Sequence, residues 1–210
     1  MFSLQTLFGN RDKVMGLLHA SSDAACEAAR ALDQMTRSGG NTAASMAILT
    51  AARRREKELA AAISEELVNT FVTVLDREDI EAMNAALYRI PKAVEKFAAR
   101  YVLVSGHLTG IDFSPRTGIL LTCTEVVASM VQELDKGLRI HPMRKLQVHL
   151  QALEGEADRL LLEPYGSLYL ASNDPIRTTL TKDLFEAIEK AIDVCRDVGN
   201  VIYSIVLKNS

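Results

Sequence analysis

Apolar residues recur at steps of three and four over stretches of roughly 20–30 residues, long enough for rods of about 30–45 Å at ~1.5 Å per residue. Little interrupts them: the 210 residues include 11 Gly, 5 Pro and no Trp. A sheet protein needs more turn residues and more aromatic or β-branched ones, so helix is the expected architecture. Leu17, Leu18, Ala25, Ala28, Ala29 and Leu32 mark a first helical face, stopped by Ser38-Gly39-Gly40-Asn41. Met46, Leu49, Ala52, Leu59, Ile63, Leu67 and Phe71 mark a second. Asp76 is a candidate N-cap for a third, on Ile80, Met83, Leu87, Ile90, Val94, Phe97 and Tyr101, where acids in the first turn oppose the helix dipole favourably. Pro91 should kink this helix, because proline lacks the donor for the carbonyl four residues back.

The clearest break joins two glycines, a proline and small polar residues between Ser105 and Pro115. A fourth helix follows on Ile119, Cys123, Val126, Val127, Met130 and Leu134, ending near Gly137. A fifth carries Leu146, Leu150, Leu153, Ala157, Leu160 and Leu161, with Pro164 near its end. The sixth starts at Ser172-Asn173-Asp174-Pro175, a polar cap followed by proline in the first turn, and runs on Leu180, Leu184, Ile188, Ala191, Cys195, Val198, Ile202 and Ile205. Three helices on each side of the break predict an all-α fold: an elongated six-helix bundle of two tandem three-helix units, residues 1–105 and 117–210, joined by a linker at 106–116.

Composition excludes several classes. A net charge of -3 gives no basic surplus for nucleic acid. No apolar stretch reaches the length of a membrane span, and the first residues have no basic leader, so a cytoplasmic protein is expected. Phe2, Leu4, Leu7 and Phe8 are expected to pack on the bundle rather than enter a membrane. Cys26, Cys123 and Cys195 are far apart, odd in number and on apolar faces, which fits reduced core thiols. His19, His107, His141 and His149 show no metal-type spacing. No phosphate-cradling glycine loop, nucleophile elbow or zinc motif is present. The run Arg53-Arg54-Arg55, with Glu56, Glu58, Glu65 and Glu66 nearby, reads first as a solvated face.

Acidic spacing in the second half is more informative. Glu154 and Asp158 lie four apart, and Glu189, Asp193 and Asp197 repeat that step. Residues at i and i+4 share a helix face, where like charges repel until a cation intervenes. Two such stripes on neighbouring helices would gather carboxylates suited to Mg, Ca, Mn or Fe(II). Lys190, Arg196 and Arg159 could equally neutralise them.

Four blocks, in order along the whole chain, carry a family resemblance. Thr70-Phe71-Val72-Thr73-Val74-Leu75-Asp76-Arg77-Glu78-Asp79-Ile80 resembles the "TFITPLDREDI" segment of the PhoU-like family of phosphate transport regulators. Leu7-Phe8-Gly9-Asn10-Arg11-Asp12-Lys13 is similar to its opening "LFGKRDK", and Leu153-Glu154-Gly155-Glu156-Ala157-Asp158-Arg159 to its "LEHEAD" block. Asp197-Val198-Gly199-Asn200-Val201-Ile202 with Ile205-Val206-Leu207-Lys208-Asn209-Ser210 is similar to its closing helix. The resemblance implies two similar three-helix bundles with metal clusters held by Glu/Asp-x-x-x-Asp motifs. Its matching positions are Glu154, Asp158, Glu189, Asp193 and Asp197, for Fe, Mn, Mg, Ca or Zn in the second half only.

The first half departs from that pattern. The family's first "EHEAD" block falls on Arg53 to Lys57, and its later aspartates on Tyr88, Arg89 and Lys92. Positive side chains there would repel a divalent cation, and Arg53, Lys57, Arg89 and Lys92 become candidates for an anion or a partner's acidic surface. Arg196 stands where the family carries an acid beside Asp197. The expectation from the resemblance is a non-enzymatic accessory of inorganic phosphate transport that docks on a Pit-type permease or a sensor. Long apolar stripes favour self-association, with a dimer the expected form, and the inner face of the membrane would be reached only through a partner. Two competing classes are a metal-dependent hydrolase or oxidase using the second-half carboxylates, and a purely structural helical oligomer.

Overall fold

The structure is a computed structural model that describes the backbone of residues 4–38, 42–70, 75–171 and 174–210, and side chains from 13 onward except 38–41, 71–74 and 162–173. Among the described residues there is no strand. Seven α-helices follow in order: α1 (Leu4–Ser38), α2 (Thr42–Asn69), α3 (Arg77–Leu87), α4 (Arg89–Val104), α5 (Ser114–Asp135), α6 (Ile140–Ala171) and α7 (Pro175–Lys208). Phe2, Leu4, Leu7 and Phe8, with the expected stop at Gly39–Asn41, lie outside the described side chains.

The expected third helix is present and kinked, as Pro91 predicts, into two segments. α3 ends at Leu87 and α4 begins at Arg89, with Tyr88 between them. Pro91 is the physical cause: its ring excludes the carbonyl of Leu87, four residues back, and it offers no N–H to it. The break therefore falls one turn before the proline. Pro164 has no such effect, and α6 continues through it to Ala171. Asp76 is the N-cap residue of α3 but makes no side-chain cap bond; its carboxylate accepts from Lys208 Nζ at 2.6 Å instead. Asp174 caps α7 as expected, accepting from the amides of Ile176 and Arg177 at 3.0 Å. Between α4 and α5 a single 3₁₀ turn (Ser105–His107) precedes residues 108–113. Gly110 there and Gly137 after α5 have positive φ, 79° and 122°, which glycine adopts without a Cβ penalty.

α1 packs between α2 and α5, α5 lies against α1, α6 and α7, and α7 contacts α3, α4, α5 and α6. The predicted faces are the buried ones: Leu18, Leu32, Ile63, Met83, Leu87, Ile90, Phe97, Met130, Leu150, Ile188, Val198 and Ile202 belong to one continuous core. Phe113, just before α5, stands between Phe97 of α4 and Phe185 of α7, with ring centroids 5.9 and 5.0 Å away. Gly199 is buried, and α6 crosses close over it. A Cβ there would run into Leu150 Cδ2 and come within 3.0 Å of Gln147 Oε1.

All three cysteines are buried free thiols, as their apolar helical positions predict. Burial pushes the Cys123 thiol up to about 12 and that of Cys195 well above its ordinary value. Neither supplies a thiolate for chemistry.

Candidate functional site

The second-half acids singled out in the sequence, together with Arg89, lie on the face shared by α4, α6 and α7. Along α7, Glu189, Asp193 and Asp197 form a stripe one turn apart, and Glu154 and Asp158 approach it from α6. Burial pushes the Glu189 carboxyl up, and the nearby charges of Asp193 and Asp158 add to the effect. The two helices therefore do turn these acids toward a common region.

The centre of that region is Arg196. Its Nη1 donates to Asp193 Oδ1 at 2.8 Å and pairs with Glu154 Oε1 of the neighbouring helix, while Nη2 reaches Asp197 Oδ1 at 3.3 Å. Lys190 Nζ takes the other Asp193 oxygen at 2.9 Å, and Arg89 of α4 takes the other Asp197 oxygen at 3.3 Å. A guanidinium keeps its proton at any ordinary pH and has no acceptor. It can satisfy these carboxylates but cannot yield its place to a cation by deprotonating. Among the described residues no three His, Cys, Asp or Glu side chains group to hold a metal ion. The expected five-acid cluster around one point is thus replaced by an arginine-centred network of three, Glu154, Asp193 and Asp197. Asp158 and Glu189 stand at its edge. This donor set does not fit the family-type metal, and no chemistry is routed through one.

The basic set also differs from the expected convergence. Arg53 is buried at 5% exposure, its guanidinium lying 4.0 Å over the Tyr88 ring. Glu56, one turn on, has no exposed surface; Ser21 Oγ of α1 donates to its Oε1 at 2.7 Å. Burial pushes the Glu56 carboxyl up to about 7 against the pull of Ser21 and the arginines. Three members of the supposed solvated face, Arg53, Glu56 and Glu66, are therefore interior, because α2 turns that side to the rest of the bundle. Arg54 and Arg55 remain outside and pair with Glu58 at 4.0 Å and Glu27 at 3.7 Å. Lys57 is exposed and is not among the residues that line the groove holding Arg89 and Lys92.

Arg89 and Lys92 instead share a groove of about 810 Å³ between α4 and α7 with two cations that sequence reasoning passed over, Lys96 and Arg100. Their signal was present: positions 89, 92, 96 and 100 step by three, four and four along one helix face. Ala93 of α4 and Ala187 of α7 give the groove apolar surface above the buried Phe97 and Val194, and Asp183, Glu186, Glu189 and Lys190 come from the α7 side.

No family model matches the chain. A curated relative, the UPF0111 protein YkaA of Bacillus subtilis (strain 168), is 23% identical over 146 residues, covering 70% of this chain and 71% of YkaA. Two solved structures from Shewanella oneidensis MR-1 superpose along nearly the whole length. One is a PhoU-like protein with a TM-score of 0.77 and 15% identity; the other is named as a PhoU-like phosphate regulatory protein, with a TM-score of 0.73 and 14% identity. Each match covers 93% of this chain and 99% of the other. The resemblance first carried by four short sequence blocks is therefore supported by the architecture: this chain has the all-α PhoU-like fold.

Proposed function

We infer that this protein is a regulatory accessory of inorganic phosphate transport, acting by docking on a Pit-type permease or a sensor rather than by catalysis. The observation that carries this reading is the full-length likeness to a protein named as a PhoU-like phosphate regulator. The chemistry of the charged face favours docking over turnover. Its acids are held by Arg196, Lys190 and Arg89, and the concavity between α4 and α7 is an open groove rather than an enclosed pocket. The described thiols are buried and protonated. No described helix is long and apolar enough to cross a membrane.

Phosphate uptake measured with radiolabelled phosphate, in cells lacking the protein and in cells complemented with it, tests the role. Co-purification with the permease in detergent tests the docking. Unchanged uptake kinetics together with no co-purification would remove the reading.

A further inference from the structure

The groove between α4 and α7 carries opposite charge on its two walls. Lys92, Lys96 and Arg100 line the α4 side at successive steps of four, advancing about 12 Å at ~1.5 Å per residue. No ion pair or hydrogen bond joins any of these three to a described residue. Asp183, Glu186 and Glu189 line the α7 side at steps of three. Lys190 also borders the groove but is engaged with Asp193 at 2.9 Å, and Glu186 is held by Lys182 at 3.0 Å. Between the walls the surface is apolar and small: Ala93 and Ala187 are part-exposed above the buried Phe97 and Val194.

We propose that this groove is a docking site for an amphipathic helix of a protein partner, acidic on the flank that meets α4 and basic on the flank that meets α7. A helix laid between two packed helices presents an apolar stripe to the floor and two polar flanks to the walls. A bare polyanion would gain from α4 but meet three carboxylates across the groove. A flat anionic lipid surface meets the same conflict. A helix with both signs pairs each wall and covers the floor at once. Its charges set register and association rate, and the apolar floor supplies affinity. Nothing in this geometry depends on phosphate regulation, and the two ideas fail separately.

The probe is a fluorescein-labelled 18-residue synthetic helix with an Ala/Leu stripe, Glu on one flank and Lys on the other. Two companions carry Glu on both flanks or Lys on both. Binding to the full chain is read by anisotropy. The two-sign peptide should bind tightest. Lys96→Glu/Arg100→Glu alters exposed side chains only; it should weaken that peptide at least roughly tenfold and turn the preference to the all-Lys peptide. Ala187→Trp, checked for folding by circular dichroism, should fill the floor and weaken all three. The proposal is overturned if no peptide binds, or if the all-Glu peptide or inorganic polyphosphate binds as tightly as the two-sign one. It is also overturned if the double charge reversal leaves the preference unchanged, or if the reversal instead abolishes binding to phosphatidylserine-containing vesicles that the wild type binds.

Discussion

Glu56 is a carboxyl buried at a three-way helix contact, and its replacement by glutamine should reshape the pH dependence of stability. In the folded chain its pKa is raised from 4.5 to about 7, chiefly by burial. In the unfolded chain it returns to its ordinary value. Between those two values the folded state holds a proton that the unfolded state has lost, so stability falls as pH rises through this window. At about 1.4 kcal/mol per unit, the full penalty is about 3 kcal/mol above pH 7 and is absent below pH 4.5. The amide of a glutamine at this position carries no charge to desolvate and keeps an oxygen for the Ser21 hydroxyl, whose bond to Glu56 is 2.7 Å long. Glu56→Gln should therefore exceed wild type by less than about 1 kcal/mol at pH 5 and by about 3 kcal/mol at pH 8. At roughly 2–4 °C per kcal/mol for a chain of this size, the gap in Tm at pH 8 is about 6–12 °C. Thermal unfolding followed by circular dichroism at pH 5, 6, 7 and 8 reads it directly. Parallel Tm curves for the two proteins would show that Glu56 folds as a paired carboxylate and would refute the reasoning.

Gly199→Val should lower stability by about 1–3 kcal/mol, because the new side chain meets Leu150 and Gln147 where α6 crosses α7; urea unfolding measures it. Thr117→Val removes the hydroxyl that donates to Asp33 Oδ1 at 2.9 Å in the α1–α5 contact, and should cost about 1–3 kcal/mol by leaving part of a buried carboxylate unpaired. Chemical denaturation of the two proteins side by side checks that cost. Arg196→Ala should destabilise the chain more at low than at high salt, since Glu154, Asp193 and Asp197 then face one another without their shared cation; melting at low and high NaCl reads the difference.

Much of the fold was legible because helical period is a local property. The faces of α1, α2, α5 and α7 followed from apolar residues three and four apart, and Asp174-Pro175 marked the start of α7 by the chemistry of its cap. What escaped was set by partners distant in sequence. Nothing in Arg53-Arg54-Arg55-Glu56 says which of the four turns inward. The answer depends on Ser21, 35 residues before Glu56, and on Tyr88, far along the chain in the α3–α4 junction. Likewise Lys96 and Arg100 share a helix face with Arg89 and Lys92, but only the packing of α7 brings Asp183 and Glu186 to the opposite side of the same groove. The acid stripe was visible, and so was Arg196; its place inside the stripe was not, because Glu154 reaches it from another helix.

The arginines then make a physical argument about the family-type metal positions. A divalent cation among carboxylates and a guanidinium among carboxylates solve the same repulsion, but the guanidinium is covalently present at every metal concentration and pH. Arg196 joins α6 to α7, and Arg89 carries the network onward to α4 through Asp197. A chain built this way needs no metal to hold these three helices in register. Metal analysis by plasma mass spectrometry should find no stoichiometric ion in protein purified without chelator. In Arg196→Asp, the central position becomes a fourth carboxylate beside Glu154, Asp193 and Asp197, and oxygen-rich sets of that kind select Mn²⁺ or Mg²⁺. Calorimetric titration with Mn²⁺ should therefore show binding in Arg196→Asp that the wild type lacks. Stoichiometric metal in the wild type, or equal heats in the two proteins, would mean that the guanidinium does not occupy the cation's place.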